Sequence, residues 1–362
     1  MKCCLISNLY PSKDDKYYGI FVHNVVGQLE QHGISFDKKI VIRGRTDSTI
    51  TKIFKYIKFY ALIIYHGMFG KFDCLYIHFV SFSALPLLLV TLFRPHKLVI
   101  NFHGGEVFTI SRLASFFKTI SKPLVNRAVS LIVPSAFFGN AVTRAFSVSP
   151  QKIFVSPSGG INTDIFSLAP GQVNTVFTLG YVSRIDWGKG WDVLLGAVKL
   201  LEQDHAISDL RVVIVGDGKE TGALSKMIKE MNSRFSIEYV GGVPQSQLPG
   251  YFRQMDFFVF PTTLQESLGL VAVEAMACQV PVIASEVGAI PEYIRPAYNG
   301  FLFEPGDAAE LSRKIIAAYQ LFKDNHAYNL MRQNAGNVAE AFNSDHVAEQ
   351  LAGHFKGVIN ER

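Results

Sequence analysis

The chain has 362 residues, 49% of them hydrophobic and 18% charged, with 29 glycines and 15 prolines. That length favours two domains, and that balance excludes a disordered, collagenous or coiled-coil chain. The formal charge of +5 hides a split: residues 1–165 hold 19 Lys and Arg against 8 Asp and Glu, whereas 166–362 hold 16 against 22. A basic half of that kind gathers anionic partners such as nucleic acid, a phosphorylated metabolite or an anionic leaflet.

The first segment, MKCCLISNLYP, has too short an apolar run for a signal peptide and reads as a buried strand at 3–7. Cys3, Cys4, Cys74 and Cys278 show no CxxC spacing, which suits a reduced, cytosolic protein without structural zinc. Further strands are predicted at 39–42, 74–78, 98–102, 131–134 and 153–156, with helices at 20–31, 85–92 and 113–126. The segment 51–72 sets Lys52, Lys55 and Lys58 at helical spacing among Ile53, Phe54, Tyr56, Ile57 and Phe59. Such a helix either lies on an anionic membrane surface or packs on the core with solvated lysines. The apolar run 79–93 is shorter than the ~20 residues a bilayer crossing needs and reads as a core helix. Turn formers at 157–166 and 168–174 mark a domain join. Beyond it, strands are predicted at 175–180, 211–215, 236–240, 257–260 and 280–284. Helices follow at 191–201, 221–231, 247–254, 270–277, 308–322 and 345–356.

Alternating strands and helices in both halves predict an α/β protein of two doubly wound, Rossmann-like domains. Ligands of such sheets bind outside the carboxyl ends of the strands, so the site is expected in a cleft between facing domains. The expected limits are a basic domain at 1–165, a second domain at 166–344, and a terminal helix at 345–362 able to cross back.

The segment PTTLQESLGLVAVEAMACQVPVIAS is the most informative. Glu274 stands in an almost wholly apolar helix, where a carboxylate needs a polar partner. Eight residues earlier Glu266 precedes the helix, whose first amides at Leu268, Gly269 and Leu270 form an anion site. At ~1.5 Å rise per residue, Glu274 lies roughly 7–8 Å along the axis, about the span from a diphosphate to a ribose. Arg184 and Lys189, in RIDWGKGWD, flank another helix start; cations there oppose the helix dipole and imply a counter-anion.

The E-x7-E pair of ESLGLVAVEAMA, the RIDWGKG turn and the SPSGGIN linker together resemble the retaining glycosyltransferases of family 4, which have the GT-B fold. The segments YYGIFVHNVVGQLEQHG and NFHGGE match more weakly. The resemblance implies that Glu274 binds ribose hydroxyls and Glu266 the donor sugar, that Arg184 and Lys189 neutralise the diphosphate, and that the amides of Leu268, Gly269 and Leu270 hold phosphate and sugar. It places Gly19 against phosphate or acceptor, His103 against the transferred sugar, and the loops at Gly216 and at Gly242 and Val243 beside the nucleotide. Ser267 and Leu268 stand where the family usually has glycine and an aromatic, Tyr18-Gly19 where a glycine pair is common, and Ser158 where Asn is usual. The GxG of VVIVGDGKE lacks the third glycine of a dinucleotide fingerprint.

The expectation is a retaining hexosyltransferase of cell-surface polysaccharide biosynthesis, cytoplasmic and peripheral at the inner face of the membrane. It would use a nucleotide sugar, UDP favoured, and a glycan or polyprenyl-diphosphate-linked acceptor, with catalytic roles for Glu266, His103, Arg184 and Lys189. No cofactor, metal or nucleic acid is expected, since no DxD-like pair and no nucleic-acid module is present. The alternatives are a sugar-nucleotide epimerase or phosphorylase of related fold and a non-catalytic protein that binds nucleotide sugar or membrane.

Overall fold

The computed structural model describes residues 1–16, 18–108, 112–168, 175–204 and 206–360. The stretch 169–174 of the expected domain join and Tyr17 of the YYG segment lie outside the described residues. The chain divides into two compact units, Met1–Gly160 with Ser344–Arg362, and Ile161–Asn343.

The first unit runs β1 (Lys2–Tyr10), α1 (Ile20–Gln31), β2 (Ser35–Arg43), α2 (Thr49–Phe69), β3 (Cys74–His78), α3 (Val80–Phe93), β4 (Leu98–Asn101), α4 (Gly105–Phe108), α5 (Arg112–Arg127), β5 (Ser130–Val133), α6 (Ala136–Phe146) and β6 (Ile153–Val155). Its strands are parallel in the order β2-β1-β3-β4-β5-β6. Every residue of CLYIH, LVIN and SLIV in β3, β4 and β5 is buried, as helices on both faces require. Helix α1 turns Val22, Val25, Val26 and Leu29 inward at the 3-4-7 spacing of one helical face. Helix α6, which sequence periodicity did not single out, is capped by Ser135, whose hydroxyl accepts the Phe138 N–H.

The second unit runs β7 (Thr178–Val182), α7 (Trp191–Asp204), β8 (Arg211–Val215), α8 (Thr221–Met231), β9 (Ser236–Gly241), α9 (Leu248–Phe252), β10 (Phe257–Phe260), α10 (Leu270–Ala277), β11 (Val282–Ser285), β12 (Gly300–Phe303), α11 (Ala308–Lys323) and α12 (Asn325–Ala339). Its parallel order is β12-β11-β10-β7-β8-β9. The winding reverses between β7 and β10, which opens a crevice at their carboxyl ends. In the first unit the reversal falls between β1 and β3. The α/β class and the pair of doubly wound parallel sheets are as the sequence predicts.

The last helix, α13 (Ser344–Asn360), completes the core of the first unit. Phe355 meets the edge of Tyr76 at 5.0 Å, and His354 stacks on Phe154 at 3.9 Å while its Nε2 bonds Ser130 Oγ at 2.6 Å.

One expectation is corrected by burial. The run 79–93 forms α3, but only one face is core: Val80, Ala84, Leu87 and Val90 are buried, whereas Leu85, Leu92 and Phe93 are 50%, 70% and 70% exposed. The neighbouring α2 buries Phe59, Ile63 and Gly67, the last so close to Val90 that a β-carbon would lie 2.7 Å from Val90 Cγ1. It too leaves Ile50, Ile53, Phe54 and Ile57 more than half exposed.

Candidate active site

In the second unit the loops after β7 and β10 interlock through glycines. Gly190 has φ +78, and a β-carbon there would sit 1.8 Å from the Pro261 carbonyl oxygen. The Gly188 carbonyl accepts the Thr263 N–H at 2.9 Å and the Thr262 hydroxyl at 3.3 Å. This closeness brings Lys189 to Glu266, residues 77 apart in sequence: Lys189 Nζ donates to Glu266 Oε1 at 2.7 Å, both side chains being 16% exposed. Thr262 Oγ1 donates to the same carboxylate oxygen at 3.2 Å. The Glu266 backbone is fixed from a third loop, its carbonyl accepting the Ala289 N–H at 3.0 Å beside Gly288, where a β-carbon would lie 2.3 Å from Glu266 O. Lys189 and Glu266 thus stand in the crevice at the reversal of the sheet.

Arg184 is 72% exposed and pairs through Nη1 with Asp186 at 2.8 Å. The counter-anions that the two cations imply are therefore present in the chain itself, Asp186 for Arg184 and Glu266 for Lys189. An arriving diphosphate would share these cations with carboxylates instead of meeting bare charge.

Helix α10 starts from Gly269 at φ +85, where a β-carbon would press on Phe260 Cε1 at 2.8 Å. Tyr293 Oη donates to the Leu268 carbonyl at 2.9 Å and fixes the turn. The amides at the start of α10, Leu270 among them, lack intrahelical acceptors, as in any helix. One and a half turns on, Glu274 is 6% exposed, and its Oε1 accepts from Gln245 Nε2 at 2.6 Å. Gln245 is the polar partner that the apolar helix demands; it lies before α9, and no sequence spacing points to it.

Burial pushes the Glu274 carboxyl up to about 7, with the Gln245 bond drawing it partly back. An acid raised in the folded state contributes stability below its ordinary value near 4.5, and that contribution is lost as pH rises through 7. Glu274→Gln keeps an acceptor for Gln245 and removes the buried charge. Calorimetry is expected to show the variant melting several degrees above the wild type at pH 8 and within a degree at pH 4.5, from a penalty on the order of 2–3 kcal/mol. A difference of equal size at both pH values would contradict this source.

Gly216, at φ +141, packs its α-carbon against Ser183, to whose carbonyl a β-carbon would come within 1.7 Å. Tyr239 Oη donates to the Gly216 carbonyl at 3.0 Å. Val243, after β9, packs on the same apolar cluster as Leu270 of α10.

The remaining candidates lie in the first unit. Gly19, at φ +69, caps α1, and the backbone it approaches is the chain's own: a β-carbon would lie 2.5 Å from Leu9 C. That contact accounts for the glycine without any ligand. His103, just past β4, stacks between His78 and Phe79 with centroids 5.0 and 4.6 Å away, and its Nε2 bonds His78 Nδ1 at 2.8 Å. Desolvation pushes His103 down to about 3 and lowers His78 strongly, so both rings are neutral at physiological pH. Glu106 accepts the His103 N–H through Oε2 at 3.1 Å, while burial raises its carboxyl to about 8. His78 and Glu106 escaped the sequence reading, because each looks like an ordinary residue of a strand or a short helix.

Of the three lysines expected to face a membrane, Lys55 is engaged within the chain. Its ammonium donates to the carbonyls of Arg43, Gly44 and Arg45 at 2.9, 3.0 and 3.4 Å and ties the loop after β2 to α2. Lys52 and Lys58 are exposed, with no partner among the described residues.

Residues 168–338 match the family model described as Glycosyl transferases group 1. A D-inositol 3-phosphate glycosyltransferase of Streptomyces scabiei is 28% identical over 261 residues, covering 64% of this chain and 58% of that protein. An N-acetyl-alpha-D-glucosaminyl L-malate synthase of Bacillus anthracis is 30% identical over 154 residues, 42% of this chain and 39% of that one. The chain thus spans little more than half the length of the first curated relatives it matches. Among solved structures, sucrose-phosphate synthase from Thermosynechococcus elongatus superposes with TM-score 0.79 at 20% identity over the whole of both chains. Anabaena Alr3699/HepE in complex with UDP-glucose does so with TM-score 0.76 at 18% identity over 99% of this chain and 100% of that one.

Proposed function

We propose that this chain, which has the fold of the GT-B glycosyltransferases and a group 1 glycosyl transferase module at 168–338, moves a hexose from a nucleotide diphosphate sugar to an acceptor hydroxyl with retention of configuration. UDP is the favoured nucleotide, and the acceptor is a glycan or a polyprenyl-diphosphate-linked sugar of cell-surface polysaccharide synthesis. The enzyme works at the cytoplasmic face of a membrane through its basic first unit. Among the described residues no helix is long and apolar enough to cross a bilayer.

The observation that carries this reading is the Lys189–Glu266 pair at the reversal of the second sheet, at the foot of a helix that holds Glu274 further along. Glu274 receives ribose hydroxyls, and the first amides of α10 with Arg184 and Lys189 receive the diphosphate. Glu266 accepts from donor-sugar hydroxyls while Lys189 and Thr262 hold it in place. The bond from the anomeric carbon to the diphosphate oxygen breaks, and the bond to the acceptor oxygen forms on the same face. The acceptor proton passes to the departing diphosphate, so no protein base is required. Cations and helix amides stabilise the charge that develops on the leaving group, and no metal is needed for that task. His103, neutral and held by His78, is suited to bond a sugar hydroxyl without adding charge.

The test is product analysis with UDP-glucose and GDP-mannose, with and without EDTA and acceptor extract. The expected result is acceptor-dependent release of one nucleoside diphosphate, unaffected by EDTA, with an α-linked product. Interconversion of the sugar nucleotide without acceptor would establish the epimerase reading instead, and no turnover of any donor the non-catalytic one.

A further inference from the structure

The ring of His103 is held from more sides than a loop histidine requires. Phe79 packs on it with centroids 4.6 Å apart, Phe21 of α1 meets it edge-on at 4.9 Å, and Glu106 Oε2 accepts its backbone N–H at 3.1 Å. Phe79 does so from φ 55 and ψ 59, a left-handed conformation that is strained for a bulky side chain and persists where the surroundings over-determine it.

The four ring nitrogens of His78 and His103 have different surroundings. His78 Nδ1 and His103 Nε2 share a hydrogen bond of 2.8 Å. The ring centroids are 5.0 Å apart and the planes differ by 14°, so this bond runs along the line joining the ring centres, the in-plane direction of a nitrogen lone pair. His78 Nε2 is enclosed and has no partner among the described residues. His103 is half-buried, and its Nδ1 makes no hydrogen bond among the described residues and is not enclosed.

A neutral imidazole carries one hydrogen, and burial keeps both rings neutral. The one hydrogen in the shared bond therefore fixes both rings together. If it belongs to His78, both rings carry their hydrogen on Nδ1; if it belongs to His103, both carry it on Nε2. The second arrangement buries the His78 Nε2–H without an acceptor, and an orphaned buried N–H is the rarer defect in folded chains. The first arrangement gives one N–H to the shared bond and the other to the open nitrogen of His103.

We propose that His78 is a positioning residue: it donates from Nδ1 to His103 Nε2, fixes His103 as the Nδ1–H tautomer, and so presents an N–H donor to an oxygen of the transferred sugar. A hydrogen already on the open nitrogen also bars His103 from taking the acceptor's proton, which leaves that proton to the departing diphosphate. The sugar contact rests on the transferase reading above; the tautomers do not.

The test is nitrogen-15 NMR of the full chain with labelled histidine, where long-range couplings tell an N–H from a bare nitrogen. Loss of one ring's signals in His78→Asn and in His103→Asn assigns the pair among the ten histidines. Both rings are expected to carry hydrogen on Nδ1 alone. His78→Leu should release His103 into a mixture of tautomers and lower kcat at least fivefold with UDP affinity unchanged. His78→Asn, whose amide can donate from the place of the ring Nδ1, should keep His103 as Nδ1–H and turn over at least threefold faster than the leucine variant. Hydrogen on Nε2 of either ring in the wild type, an unchanged His103 tautomer in the leucine variant, or equal kcat in the two variants of an active enzyme would each overturn the proposal. If no donor is turned over while the tautomers are as expected, the transferase reading falls and the tautomer assignment stands.

Discussion

Glu266→Gln is expected to lower kcat by about 10²–10³ while changing UDP affinity less than threefold. The amide keeps the size of the carboxylate and can still accept from Lys189 and Thr262, which lie at 2.7 and 3.2 Å, so the loop should hold its shape. On the proposed donor site, what it loses is the negative charge that would face the donor sugar as positive character develops at the anomeric carbon. Electrostatic groups of this kind are worth roughly 3–4 kcal/mol in the transition state, which corresponds to that fall in rate. Glu266→Ala is a different experiment, since it leaves the Lys189 ammonium, 16% exposed, without its partner. Stability would then fall together with activity. Steady-state rates alongside UDP titration separate the two effects, and a Glu266→Gln enzyme with wild-type kcat would remove Glu266 from the chemistry.

The second large effect is structural. Gly190→Ala is expected to destabilise the unit Ile161–Asn343 by about 3 kcal/mol or more and to abolish nucleotide binding. The residue has φ +78, and its new methyl group would sit 1.8 Å from the Pro261 carbonyl, a backbone atom that no rotamer change can move aside. Relief requires the loops after β7 and β10 to separate, which pulls Lys189 from Glu266. Gly306→Ala is the control, with φ +84 but its nearest neighbour, Thr263 Cγ2, at 3.9 Å. It should cost only the strain of the left-handed conformation, ~1–2 kcal/mol. If the two variants melt alike in calorimetry, the close approach of the loops is not what holds the site.

The parts legible in the sequence were those set by local chemistry. Glycine-rich turns, apolar strands and a carboxylate inside an apolar helix each announce themselves within a dozen residues, and so the sheets and Glu274 could be read directly. What the sequence withheld depends on strand order. Lys189 follows β7 and Glu266 follows β10; they meet because β10 lies beside β7 in the sheet, although β8 and β9 intervene in the chain. The partners of Glu274 and His103, Gln245 and His78, likewise come from other elements. Hydrophobicity alone does not fix burial: 79–93 reads as a core helix, and α3 does pack one face on the core, yet Leu85, Leu92 and Phe93 on its other side are half or more exposed. At Lys55 spacing shows the cation but not its engagement, since its ammonium is held by three carbonyls of the preceding loop.

Binding of UDP, GDP and ADP to the wild type and to Glu274→Ala, by titration calorimetry in EDTA, tests the donor site most directly. One nucleoside diphosphate, UDP first, is expected to bind without metal, and Glu274→Ala to weaken it at least tenfold through loss of the proposed ribose contact. Failure of all three to bind the wild type, or equal affinity in the variant, would contradict a nucleotide-sugar site along α10.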